Sequence, residues 1–130
     1  MSIETASIRR VLVVDDEPGV CEAIALSLGL AGYVVCAAED GETAQAVVRR
    51  FQPDAIITDI FMPGLDGLGL MNWLREQGLT TPVIAISGRC RAGDFDGLSL
   101  ALHLGAVSTL EKPFGPFQVT AAVNSALAAA

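Results

Sequence analysis

Lysine is almost missing from this chain. Lys112 is the only one, and the eight basic residues face fifteen acidic ones for a net charge of −7 at pH 7. The arginines are scattered, with Arg9-Arg10 and Arg49-Arg50 the only adjacent pairs. A field of that sign repels nucleic-acid phosphates, which argues against direct DNA or RNA binding. Cysteine is scarce too. Cys21, Cys36 and Cys90 are odd in number, widely separated and without CxxC spacing, which argues against a thiolate metal site or a disulfide scaffold and for a reducing compartment. Long hydrophobic runs are absent: the uncharged stretch Ala23 to Ala38 has 16 residues and is broken by Gly29 and Gly32, short of the ~20 needed to span a bilayer. The opening MSIETASIRR lacks the apolar core of a signal peptide. The expectation is a cytoplasmic protein without membrane association.

What is present is apolar. Of 130 residues, 52% are hydrophobic and 18% charged, enough for one domain with a sizeable core. Residues 1–8 read as a flexible leader and 9–130 as the domain. Apolar, strand-type runs occur at 11–14, 33–37, 55–58, 83–86 and 106–110. Between them lie segments of helical period: Val20, Ile24 and Leu28; Ala44, Val47, Val48 and Phe51; Gly67, Leu70, Met71 and Leu74; and Val119, Ala122, Val123, Ala126, Leu127 and Ala130. A further helix is expected at about 94–105, with Phe95, Leu98, Ala101, Leu102 and Gly105 inward and Leu100 and Leu104 outward beside Asp96 and His103. Continuous apolar strands alternating with helices predict an α/β fold: a doubly wound, five-stranded parallel sheet, order 2-1-3-4-5, covered by five helices. Ligands of such sheets bind beyond the carboxyl ends of the strands.

Those ends carry the polar residues. Asp15 and Asp16 follow the first strand, Asp59 the third, Ser87 the fourth and Lys112 the fifth. Three carboxylates from neighbouring strands would repel one another, and a hard divalent cation such as Mg²⁺ removes the conflict. A helix N-terminus accounts for Glu17 and for one of the aspartates. It does not account for Asp59, which is followed by the turn sequence FMPG. An ammonium and a hydroxyl at the same edge would hold an anion on that metal, such as a phosphoryl group.

DDEP at 15–18, DIFMPGLDG at 59–67, SG at 87–88 and EKPF at 111–114 together resemble the receiver domain of two-component response regulators, of the CheY-like, flavodoxin-like fold and stand-alone type. The resemblance runs from about residue 9 to the end. It implies that Asp59 accepts a phosphoryl group from phosphohistidine on a histidine kinase or a histidine phosphotransfer protein. It further implies Asp16 as a direct Mg²⁺ ligand, Asp15 through water, Asp59 itself and the Phe61 carbonyl as further ligands, and a cis Lys112–Pro113 bond. Lys112 would pair with the phosphoryl oxygens and Ser87 would donate to one of them. The chain would then be a phosphoacceptor that assists its own phosphorylation and dephosphorylation rather than an enzyme. As a monomer or weak homodimer it would address a downstream protein through the face of its fourth helix, fifth strand and fifth helix. Because the chain stops after the fifth helix, its output is expected to pass through another protein.

Three departures from the family pattern stand out. Thr109 occupies the place of the switch aromatic, three residues before the lysine. The segment GRCRAGDFDG at 88–97 is longer than usual and offers Arg89 or Arg91 as an added cation. Phe61 is bulky where many relatives are polar, and with Arg89 it would shield an acyl phosphate from water. Two other readings compete. A pseudo-receiver scaffold would keep the fold without the chemistry. A haloacid-dehalogenase-like phosphatase would also use an Asp nucleophile and Mg²⁺, but it wants a second Asp two residues on, where this chain has Phe61.

Overall fold

The computed structural model describes residues 8–88 and 97–129. All but Ile8 of the expected leader lies outside them, as do Arg89, Cys90, Arg91, Phe95 and Asp96. Strands β1 (Arg10–Val14), β2 (Val34–Ala38), β3 (Ala55–Asp59), β4 (Val83–Ser87) and β5 (Ser108–Glu111) alternate with helices α1 (Pro18–Leu30), α2 (Gly41–Phe51), α3 (Gly67–Glu76), α4 (Gly97–His103) and α5 (Pro116–Ala129). The sheet is parallel throughout, in the order β2-β1-β3-β4-β5, which is the expected CheY-like, doubly wound architecture.

The pleat divides each buried strand between two cores, because successive side chains leave opposite faces. Leu12, Val14, Ile56, Val83 and Ala85 pack with Ala44 and Val48 of α2, Leu70, Met71 and Leu74 of α3, and Ala101 of α4. Val11, Val13, Ile57, Ile84 and Ile86 pack with Cys21, Ile24 and Leu28 of α1 and with Val119, Val123, Ala126 and Leu127 of α5. Each fully buried aliphatic side chain contributes about 1.5–3 kcal/mol. With both faces covered, β1, β3 and β4 have no reason to alternate polar with apolar, and their sequences do not.

One boundary and one helix face differ from expectation for identifiable reasons. Gly105, at φ +112°, ends the α4 segment, and Ala106 N–H donates back to the Ala101 carbonyl. Ala106 is thereby spent on closing the helix, so β5 begins at Ser108 rather than 106. The α4 stripe is also rotated from the expected one. Leu98 and Ala101 face the core as anticipated, but Leu102 is exposed, while Leu104 packs against the core that was expected to exclude it. The inward line runs through Gly97, Ala101 and Leu104, spaced four and three, and leaves Leu102 and His103 outside.

Candidate functional site

Four strand ends build one site. β1 closes at Val14, and Asp15 follows fully buried, its N–H donating to the Ala38 carbonyl at 3.1 Å. The chain then bends at Asp16, the Glu17 N–H donates to Asp15 Oδ1 at 2.9 Å, and Pro18 opens α1 where the first turn tolerates it. Asp59 is the last residue of β3, 5% exposed, with the Phe61 N–H directed at its Oδ1 from 3.4 Å. Ser87 ends β4, buried, and its carbonyl accepts the Lys112 N–H at 2.7 Å. That bond brings the lysine stem to the edge, and the following Lys112–Pro113 bond is cis.

The Lys112 ammonium then sits among three carboxylates. Its Nζ lies 2.9 Å from Asp15 Oδ2, 2.9 Å from Glu17 Oε1 and 3.1 Å from Asp59 Oδ2. The contacts with Glu17 and Asp59 are hydrogen bonds. The contact with Asp15 is an ion pair without donor alignment, and Oδ2 of this buried carboxylate has no hydrogen bond. Burial works against the Lys112 charge, but Glu17, Asp15 and Asp59 outweigh it and raise the lysine pKa above its ordinary value. Asp59 is also raised, first by burial and then by the Asp15 charge, with Lys112 opposing. Glu17 is lowered by its hydrogen bond and charge pairing with Lys112. Beneath them the Cys21 thiol donates to the Asp15 carbonyl at 3.4 Å, and burial followed by the Asp15 charge pushes its pKa up to about 11.

The structure therefore brings Asp15, Asp59 and Lys112 together, with Ser87 at the adjoining strand end. It leaves Asp16 exposed and outside the cluster and puts Glu17 in it. The chain bends at Asp16 just past the end of β1, and the turn closed by the Glu17 N–H on Asp15 Oδ1 puts Glu17 beside Asp15 and leaves Asp16 outside. Phe61 is half exposed, its ring set over the first residue of α4: a Cβ on Gly97 would meet Phe61 Cζ at 2.9 Å. Thr109 is half-buried in β5, opposite Ala85.

The donor chemistry fits a hard divalent cation. Oxygens of Asp15, Glu17 and Asp59 all lie within 4.8 Å of one another. They bring three negative charges to one ammonium, and Oδ2 of Asp15, ion-paired with Lys112, is already stripped of water. Oxygen-only ligands with excess negative charge suit Mg²⁺.

Residues 11–124 match the family described as the response regulator receiver domain. The alkaline phosphatase synthesis transcriptional regulatory protein PhoP of Bacillus subtilis is 36% identical over 119 residues, which cover 92% of this chain and 48% of PhoP. The phosphate regulon transcriptional regulatory protein PhoB of Pseudomonas aeruginosa is 34% identical over 121 residues, covering 92% of this chain and 52% of PhoB. This chain spans about half the length of these curated relatives. Among solved structures, the receiver domain of NtrX from Brucella abortus superposes with a TM-score of 0.84 at 31% identity, over 92% of this chain and 99% of that one. Among the described residues, no helix is long and apolar enough to cross a membrane. The chain belongs to the response regulator receiver domain family.

Proposed function

We propose that Asp59 accepts a phosphoryl group from phosphohistidine on a histidine kinase or phosphotransfer protein, and that the phosphorylated form alters binding to a downstream protein. The observation that carries this reading is a buried carboxylate at a strand end, paired with the only lysine of the chain and crowded by a second buried carboxylate. In the transfer the N–P bond of the donor breaks, an O–P bond forms at an Asp59 oxygen, and the imidazole departs with the electron pair.

Asp15 and Asp59 would hold Mg²⁺, completed by Asp16 and the Phe61 carbonyl. When bound, the ion supplies neutralisation of the carboxylates and of the phosphoryl oxygens. Asp59 must be ionised to attack, which burial and Asp15 oppose, so Lys112 has two tasks: to keep the carboxylate charged and then to pair with the arriving phosphoryl oxygens. Ser87, buried at the next strand end, donates to one of those oxygens. A cavity of about 480 Å³ beside Lys112, lined by Val20, Ala23, Ile24, Pro113 and Phe114 among others, supports docking of a donor protein next to the site. Leu102 on α4 and Val107 before β5 are exposed apolar side chains that suit the downstream surface.

The test is incubation with a small acyl-phosphate donor and Mg²⁺, followed by intact mass. One added phosphoryl that disappears in Asp59→Ala is the expected result. Donor hydrolysis without accumulation favours the phosphatase, and no reaction favours the pseudo-receiver, for which Thr109 is the supporting feature.

A further inference from the structure

The loop that follows Asp59 is tied down from outside. Between β3 and α3 the chain runs from Ile60 to Asp66, and its base is closed. The Gly67 N–H donates to the Ile60 carbonyl at 3.0 Å, and Gly67 lies so near the Asp59 carbonyl that a Cβ there would approach it to 2.1 Å. Met62 is buried in the core and anchors one side. The tip is Gly64, at φ +74°, followed by Leu65, and neither base nor anchor fixes these two residues.

Helix α2 does. Glu42, its second residue and exposed, accepts the Leu65 N–H at Oε2 over 3.1 Å, across 23 positions of sequence. Its carboxylate also lies against Gly64, whose Cβ, if present, would be 3.2 Å from Oε1. Next to it, a Cβ on Gly41 would meet the Leu65 carbonyl oxygen at 2.3 Å, so the start of α2 is pressed flush against the loop. An acid in the first turn of a helix is ordinarily explained by the macrodipole. Here one oxygen is spent on another element's backbone.

We propose that Glu42 is a positioning residue for the phosphoacceptor site. By holding the Leu65 N–H it fixes the loop that carries Phe61, and with it the orientation of the Phe61 carbonyl and of the N–H facing Asp59. This rests on the reading above, in which that carbonyl is a metal ligand. A loop fixed in advance loses less freedom when the ion binds, so affinity for the ion falls when the tether is cut.

The test compares wild type, Glu42→Ala, Glu42→Gln and Gly41→Ala as full chains. In metal-free protein, Glu42→Ala should speed amide exchange at Leu65. Calorimetric Mg²⁺ affinity should fall about fivefold, the order expected for losing one charge-assisted hydrogen bond at an exposed place. The rate of phosphorylation by an acyl phosphate should fall in parallel at limiting Mg²⁺ and recover at saturating Mg²⁺. Glu42→Gln, which keeps an acceptor oxygen, should restore most of the affinity. Gly41→Ala, which pushes the loop from the other side, should reproduce the loss. Unchanged Mg²⁺ affinity in Glu42→Ala, or a rate deficit that persists at saturating Mg²⁺, overturns the inference while leaving the phosphoacceptor reading intact. Wild-type protein that neither binds Mg²⁺ nor takes a phosphoryl group overturns both.

Discussion

Replacing Asp59 by asparagine should make the metal-free protein harder to melt. The side chain is buried among charges of both signs. At an effective dielectric of about 20, the Lys112 ammonium at 3.1 Å attracts its carboxylate by about 5 kcal/mol. Asp15, with an oxygen inside 4.8 Å, repels it by at least about 3.5 kcal/mol. The margin left to attraction is about 2 kcal/mol at most, whereas withdrawing a carboxylate from water costs several kcal/mol. Burial therefore decides the sign, as the upward displacement of the Asp59 pKa also says, with burial its largest cause and Asp15 the next. Asparagine keeps the shape and removes the charge, so a gain of about 1–2 kcal/mol is expected at pH 7, or roughly 3–8 °C in Tm for a domain of this size. The pH dependence follows from linkage. An unfolded aspartate titrates near ~3.9, and folded Asp59 titrates higher, so the native state holds this proton more tightly. Wild-type stability then falls as pH rises between the two values. The advantage of asparagine should be absent below the unfolded value, grow through that window and be complete above the folded one. Circular dichroism melts in EDTA across pH measure it directly. Asp59→Asn melting at or below wild type at pH 7, or an advantage that grows on acidification, would show that the Lys112 pair outweighs burial and that the reasoning is wrong.

Two further outcomes separate roles within the cluster. Asp16→Asn should weaken Mg²⁺ binding by about tenfold, as expected for losing one charged ligand, whereas Glu17→Gln, whose partner is Lys112, should change it much less. The reverse order in a calorimetric titration would make Glu17 the ligand in place of Asp16. Cys21, 6% exposed and with its pKa pushed up to about 11, should carry thiolate on the order of one part in a thousand at pH 8. A thiol reagent should modify it only after denaturation, as peptide mapping would show; native-state modification at the rate of the half-buried Cys36 would contradict the burial.

What could be read in the sequence was what repeats along the chain or sits at a strand end. The apolar runs gave five strands because both faces of this sheet are covered, and the helical stripes of α2, α3 and α5 lie inward as spaced, Phe51 and the undescribed Ala130 apart. The α4 stripe was misjudged because Leu98, Leu100, Leu102 and Leu104 offer apolar residues on every side of a short helix. Only the turn at Gly105 and the packing around Ala101 choose among them. At the site, the bend at Asp16 closed by the Glu17 N–H on Asp15 places Glu17 beside Asp15, and a run of three acids does not announce such a turn. Asp16, which the family resemblance implies as a metal ligand, stands exposed beside the cluster. The contact between Glu42 and the Leu65 N–H had no legible signal at all. It joins a side chain to a backbone group 23 positions away, so the identity of residue 65 carries no trace of it, and the acid itself already had a sufficient explanation in its helix. Side chains that act on backbone elsewhere in the fold leave no periodicity and no complementary partner in the sequence. The supports of a site are for that reason harder to read than its reacting groups.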